Sequence, residues 1–552
     1  MAIPAARPLK EDFLRRAFTP FSRHSSLVVG LVLAFHAVLA WVARRPGILT
    51  EQDDAIYVLL GRALHGFQYR ELFRIDRPAH MMYPPVYPLV LSLWSAMGGE
   101  GFNWLVLISI ASSVGMLALV YSSLRAVWSP GIALVCLVAL ATNPSLVDAA
   151  GGLDTEAPFT FFQVLALWTF TRVWSRSEAI LAGAASIAAA LTRSIGVTLI
   201  AAIGMLWLWR QHFRTLAVYA VVVALTVGLW LGWTALAPDQ VPGKSYIADA
   251  LAADHSAHAS ATSLLKQRLT NKAPYLLSIY LLLPGPGIST RAVDNVIGML
   301  ILLLALLLGS PALFAAWPAA FLYLTAYGGL LLLWPWPVAR FIVPVLPLIV
   351  PITLVGVGRL VSFFRPRWEE AAIVLVAGVL ALTGLGMVYS VIQRQRGCVR
   401  GGPLPSPACL DEHQASFFSA VRHIRDHDSP NAVFLSGKPA TLYLYTGRRV
   451  VSMARALSQT PSDFLPFLRQ QGATHILLLA VMPFSDGMSA SRLALGPMLR
   501  ANCESLQVEA SFPPLSYLFR VPDAGETPDP IAACRAVDTY LEAQPTNHTG
   551  GE

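Results

Sequence analysis

The chain has 552 residues, 55% of them hydrophobic and 13% charged, with a formal net charge of +8. Soluble globular chains carry about 25% charged residues, so the composition excludes a soluble protein and points to a polytopic membrane bundle with one added domain. Much of the positive charge is Arg at the ends of apolar runs, where it sets topology and does not imply nucleic acid as a partner.

Residues 1–24 form a basic N-terminus with Arg7, Lys10, Arg15, Arg16 and Arg23. The run that follows, "SSLVVGLVLAFHAVLAWVA", is long enough to span and lacks a small-residue cleavage site, so it reads as a first helix and not a signal peptide. Apolar runs predict helices near 25–43, 103–124, 131–148, 158–174, 178–192, 194–209, 215–236, 293–309, 312–333, 339–361 and 371–391. That is about eleven crossings. The segment "YPPVYPLVLSLWSAMG", 83–98, is short and opens on Pro84, Pro85 and Pro88, so it reads as an interfacial or re-entrant helix. With it excluded as a span, the N-terminus, Arg125, Arg172, Arg176, Arg210, Arg214, Arg359, Arg365 and Arg367 share one side, the cytoplasmic one.

The fold class expected is therefore an all-α polytopic membrane bundle over 25–392 with an extracytoplasmic α/β domain over 393–522. The outer side receives the loop 44–102, the short loop "AAGGLDTEA", the polar loop 237–292 and the C-terminal domain. In that domain "DEHQASFFSAVRHIRDH" has helical spacing, while "NAVFLSG", "THILLLA" and "SYLFRV" read as short buried strands. The tail 523–552 is rich in Pro, Thr and Gly and reads as poorly ordered. Cys398, Cys409, Cys503 and Cys534 suggest two disulfides if the domain is exported, and free thiols if it is cytosolic; spacing leaves the pairing open.

Ionisable groups at the edge of a membrane are costly and mark sites. Asp53 and Asp54 stand just after the first helix, as a metal-binding pair, a general base, or caps of the helix that "TEQDDAIYVLLGRAL" predicts. Asp154 and Glu156 in "GGLDTEAPF" would hold a cation, orient a polar substrate, or cap the next helix. Arg340 in "WPWPVARFIVPVLPLI" is either a snorkelling interfacial residue or a fixed cation for a lipid phosphate. Arg193 in "AAALTRSIGVTL" is a turn residue or a second phosphate contact. His255, His258, Lys266 and Arg268 form a looser basic group in the long outer loop.

Taken in order, "DDAIY", "YPPVYPLVLSLW", "LDTE", "TRSIGV" and "RFIVPVLPLI" resemble the C-type glycosyltransferases, specifically the bacterial branch with the protein O-mannosyltransferases and the lipid A aminoarabinose transferase. The resemblance covers about residues 25–391. It implies a bacterial inner-membrane enzyme that moves a sugar from a polyprenyl-phosphate carrier to a periplasmic lipid, glycan or protein, with inversion. It implies Asp53 as the base, with Asp54 where the family has Glu, and Tyr57 at the family's Tyr. Tyr83 stands where many members have His or Lys, and Arg340-Phe341 where Arg-Tyr is usual. Asp54, Tyr57, Tyr83, Asp154, Glu156, Arg193 and Arg340 are the expected substrate and lipid-phosphate contacts. A divalent metal ion is compatible with the acidic pairs, although no full ligand set is visible. An envelope polymerase or ligase using lipid-diphosphate substrates, and a transporter or flippase, are the competing readings. No internal repeat of the kind transporters show is visible.

Overall fold

The computed structural model describes residues 25–48, 53–173, 175–236, 292–334, 339–398, 404–479, 495–514, 516–523, 526 and 529–542. The N-terminus 1–24, the outer loop 237–291 with its basic group, and the last ten residues lie outside the described residues.

The membrane part runs α1 (Ser25–Val42), α2 (Asp54–Leu64), α3 (Val86–Gly98), α4 (Phe102–Val127), α5 (Pro130–Ala141), α6 (Pro144–Ala150) and α7 (Glu156–Thr169). It continues through α8 (Arg176–Thr192), α9 (Val197–Trp209), α10 (Phe213–Leu236), α11 (Ala292–Ala316), α12 (Pro318–Leu333), α13 (Leu346–Phe364) and α14 (Glu369–Arg394). Among the described residues five helices are long and apolar enough to cross a membrane: Phe102–Val127, Phe213–Leu236, Val296–Ala316, Arg340–Phe364 and Pro366–Arg394. A bent pair, α5 and α6, makes a sixth if it counts as one span.

The apolar run 131–148, expected as one helix, is broken and bends by 65°. Asn143 caps α6 by accepting from the N–H groups of Ser145 and Leu146, and Pro144 has no N–H to continue the ladder of α5. The segment 83–98 forms the 13-residue α3 directly after Pro84 and Pro85. The turn between α8 and α9 needs Gly196, because a Cβ there would lie 2.6 Å from the Ala190 backbone.

Residues 339–345 are a 3-10 turn that carries Arg340 and breaks at Pro344. Proline unwinding frees carbonyls that must find partners inside a membrane protein. Here the Tyr327 hydroxyl donates to the Phe341 carbonyl at 2.6 Å, and the buried Gln163 amide donates to the Pro344 carbonyl at 3.0 Å. Gln163 in turn accepts from the Tyr323 hydroxyl at 2.9 Å. Gln163→Leu would leave two buried polar groups unpaired, at about 1–3 kcal/mol each. A clear drop in Tm of the detergent-solubilised variant is the expected result, and an unchanged Tm would mean that this amide does not hold the turn.

The C-terminal domain contains β1 (Val433–Ser436), β2 (Arg449–Val450), β3 (His475–Leu478), β4 (Gln507–Phe512) and β5 (Ser516–Arg520) in one sheet of order β2-β1-β3-β5-β4. β1 pairs parallel with β2 and β3, whereas β5 pairs antiparallel with β3 and β4. The helices around it are α15 (Glu412–His427), α16 (Pro439–Thr446), α17 (Met453–Leu457), α18 (Phe464–Gln470) and α19 (Pro530–Glu542). Asp411 starts α15 through a capping box with Gln414. The cysteines pair as Cys398–Cys409 and Cys503–Cys534. The tail expected to be poorly ordered from residue 523 instead holds α19, which buries Ala533, Val537 and Tyr540 and is tied down by Cys534. Its flanking Pro and Thr masked an amphipathic helix.

This domain sits against the loop 44–102. Val450 donates to the Phe73 carbonyl at 2.9 Å and Ile75 donates to the Val450 carbonyl at 3.2 Å, so the loop covers the β2 edge. The Tyr445 hydroxyl donates to the Ile48 carbonyl and accepts from its N–H. α16 packs directly on α2.

Candidate active site

α2 begins where the first apolar helix has ended, and Asp53 occupies its N-cap position. Its side chain makes no capping bond. It is turned instead toward Arg340, whose Nη2 lies 2.9 Å from Oδ2, and toward the Tyr83 hydroxyl. Both partners of the ion pair keep partial exposure, 32% for Arg340 and 26% for Asp53. Burial pushes the Asp53 carboxyl up, but the Arg340 guanidinium and the Tyr83 hydroxyl outweigh it and hold the group below the usual carboxylate range. Lys438, at the start of α16, adds a second positive charge toward Asp53. Nothing local to "SGKPAT" marks Lys438; only the docking of α16 on α2 brings it there.

The second cluster comes from the ends of α7 and α8. Arg193 follows the last residue of α8 in extended backbone, forms an ion pair with Glu156, and donates to Thr155 Oγ1 at 3.1 Å. It is thus both the turn residue and a cavity cation. The Phe341 ring lies 5.5 Å from the Arg193 guanidinium and 5.9 Å from that of Arg340. Tyr57 packs against Tyr83 with ring centroids 4.9 Å apart.

These groups line one cavity of about 330 Å³, within the range of ligand pockets. Asp53, Tyr57, Tyr83, Asp154, Glu156, Arg193 and Arg340 all contribute to its wall. The rest is largely apolar, including Leu231, Leu330, Ile195 and Trp334. The cavity therefore joins a charged end to a greasy side.

Asp54 is the exception among the expected substrate contacts. It does not line the cavity; it is 0% exposed, and Oδ1 accepts only from the Ala55 N–H at 2.9 Å. Successive helical residues point about 100° apart, so when Asp53 faces the cavity Asp54 faces the core. There it joins Asp154, which Arg45 holds at 2.8 Å while also holding Asp148 at 2.8 Å. Gly152 leaves room for this guanidinium, since a Cβ there would stand 2.8 Å from it. Arg45 carries no sequence signal beyond its place after the first helix. Asp154 does not cap α7 either; Thr155 takes the N-cap position.

Burial first, and the neighbouring Asp154 second, push the Asp54 carboxyl up to about 7. Asp154 is raised as well, to about 6, by burial despite Arg45. An unfolded aspartate titrates near 4, so between pH 4 and 7 the folded chain holds protons that the unfolded chain has lost. That contribution to stability is complete at low pH and disappears as pH rises through about 7. Wild-type Tm is expected to fall from pH 5 to pH 8, and Asp54→Asn, a permanent mimic of the protonated acid, to flatten the slope and raise Tm at pH 8. Parallel curves for the two proteins would contradict the buried acid pair.

Among the described residues, no three metal-ligating side chains converge in this cavity. Glu156 is engaged by Arg193 and Asp154 by Arg45. With their carboxylates paired to arginines, these acids do not present a ligand set for a divalent ion.

No protein-family model matches the chain, and no curated protein matches it in sequence. In fold it is similar to ArnT from Cupriavidus metallidurans bound to undecaprenyl phosphate, with a TM-score of 0.55 at 16% identity over 91% of this chain and 99% of that one. It is also similar to the Archaeoglobus fulgidus oligosaccharyltransferase in the apo form, with a TM-score of 0.50 at 13% identity over 91% of this chain and 75% of that one. The same archaeal enzyme tethered to an acceptor peptide with the NVT sequon gives a TM-score of 0.50 at 11% identity, over 82% and 69% of the two chains. The chain is a multi-pass membrane protein that shares its overall fold with ArnT and the archaeal oligosaccharyltransferase.

Proposed function

We propose that this protein transfers a sugar from a polyprenyl-phosphate carrier to an acceptor hydroxyl, with Asp53 as general base. The observation that carries the reading is the cavity itself: an ionised aspartate and two arginines at one end, and an apolar wall suited to a lipid chain alongside. The similarly folded ArnT was solved with undecaprenyl phosphate, a carrier lipid of that class.

The lipid phosphate is a good leaving group and needs little help from an acid. The acceptor oxygen, by contrast, needs a base as it attacks the anomeric carbon. Asp53 takes its proton, the new C–O bond forms on the face opposite the phosphate, and the phosphate departs with the electron pair. Inversion follows from that geometry. Negative charge grows on the phosphate, where Arg340 and Arg193 stabilise it in a poorly hydrated site. Arg340 thereby leaves Asp53 for the donor phosphate, freeing the carboxylate to accept the proton. Tyr57 and Tyr83 form the wall beside the sugar, and Glu156 holds Arg193 in place.

The topology that goes with this chemistry has about eleven crossings, a cytoplasmic N-terminus and a periplasmic C-terminal domain in a bacterial inner membrane. Two disulfides in that domain support an oxidising compartment. An alkaline phosphatase fused after Pro430 is expected to be active, and an inactive fusion would reverse the sidedness.

The direct test is incubation of purified protein with radiolabelled polyprenyl-phosphate sugar and a membrane extract. Label appearing in an acceptor supports the reading. Transfer only from lipid-diphosphate donors would favour a polymerase or ligase, and movement of donor across vesicles without transfer would favour a flippase.

A further inference from the structure

We propose that the C-terminal domain carries a divalent transition-metal site, of the kind that takes Zn²⁺, formed by His423, Asp428 and Glu509. One ligand atom from each lies within 4.8 Å of the others. That spread is wider than the separation of ligands held at about 2.0–2.2 Å from one ion, so binding would require the side chains to rotate inward. One imidazole and two carboxylates are a donor set that zinc accepts, leaving a position for water.

The three residues are delivered by two elements distant in sequence. α15 presents His423 in its last turns, and Asp428 is the residue that ends it. The C-terminal end of a helix carries partial negative charge and favours a cation. Glu509 is the extra residue of a bulge in β4: Val508 pairs with Phe519 and Ala510 with Leu518, so Glu509 has no partner across the ladder. Bulges re-aim the side chain they insert, and this one aims a carboxylate at the end of α15.

The surroundings are arranged as a ligand shell requires. His475 on β3 places Nε2 3.0 Å from Glu509 Oε2, and its Nδ1 is 2.8 Å from Thr474 Oγ1. That chain fixes the carboxylate from behind, as the hydrogen-bonded partners of metal ligands do. His423 is held between the His427 ring, stacked at 4.5 Å, and Phe512, edge-on at 5.6 Å. Asp428 Oδ2 is buried and has no hydrogen-bond partner. Buried polar atoms almost always have one, and a cation would satisfy this oxygen. The cluster lies on the sheet's outer strand, apart from the cavity around Asp53, so a metal here would clamp α15 to β4.

The test uses tag-free, full-length protein in detergent, stripped with a chelator and titrated with Zn²⁺ against a chromophoric zinc indicator. One tight equivalent is expected in the wild type. Glu509→Gln and His423→Ala should each weaken it at least tenfold, whereas Glu526→Gln, an exposed acid of the same domain, should bind as wild type. Glu509 is itself exposed, so its Gln variant keeps the fold, which matching elution and Tm of the stripped proteins would verify. Absence of a tight equivalent, or equal binding by Glu509→Gln and His423→Ala, would overturn the proposal. Because the readout is binding, the result is independent of whether the protein transfers sugar.

Discussion

Asp53→Asn is expected to lower sugar transfer by about 10²–10⁴-fold, the usual contribution of a positioned base. The substitution changes one atom. The amide oxygen still accepts from Arg340, so the cavity keeps its shape, and elution and Tm should match the wild type. What the amide cannot do is accept the acceptor's proton. The loss should therefore appear in kcat, with donor binding retained. Equal label transfer by the two proteins would sink the base assignment and leave Asp53 as the residue that happens to begin α2. The local geometry argues against that second role, because the Asp53 side chain makes no capping bond to the helix it precedes.

Arg340→Ala should have the second largest effect, about 10²–10³-fold in kcat, in line with the removal of one charge-stabilising donor from an enclosed site. It should also move the pH profile. In the free protein Arg340 is the strongest influence holding the Asp53 carboxyl down against burial. Without it the Asp53 pKa rises, and the acid limb of kcat/KM, which reports the free enzyme, shifts to higher pH. Arg340→Lys keeps the charge but loses the forked geometry that matches phosphate oxygens. It should restore the acid limb more fully than the rate. An Ala variant with wild-type rate and an unmoved acid limb would show that Arg340 acts only at the membrane interface.

These two effects are coupled by a single ion pair at 2.9 Å. In the structure Arg340 pairs with Asp53 and favours its ionised form. Under the proposed mechanism a donor phosphate would compete for the same guanidinium and so release the base only when the leaving group is in place.

The helices and their order were readable because the bilayer imposes a length and an apolar composition on each span. Placing "DDAIY", "LDTE", "TRSIG" and "RFIVPV" on one outer side rests on Arg at helix ends and belongs to the proposed topology. The chemical types were readable too, since carboxylates and guanidinium groups at a membrane edge are too costly to be incidental. The break at Asn143-Pro144 had a local signal, a cap followed by proline, but it was hidden inside a continuous apolar run. α19 was hidden the opposite way, by Pro- and Thr-rich flanks around a short amphipathic stretch.

Other decisions were not local at all. Which of two adjacent aspartates faces the cavity depends on the phase of α2, and phase is set by the burial of Ala55, Val58 and Leu59 in the core rather than by the pair itself. Arg45 became the counter-ion of Asp148 and Asp154 only because α6 and the loop that follows it pass beside the end of α1. Gln163 and Tyr327 were unremarkable residues of apolar helices until the unwound turn at Pro344 needed partners for its carbonyls. Lys438 reached Asp53 because α16 of the C-terminal domain docked on α2.

By itself, then, the sequence determined a polytopic bundle with an acidic and basic set at the ends of its apolar runs, because hydrophobic length and charge placement are written residue by residue. Only the tertiary structure decided which of those charges meet. An ion pair forms over a few ångströms in space, and the separation along the chain between Asp53 and Arg340, or Arg193 and Glu156, carries no information about that distance.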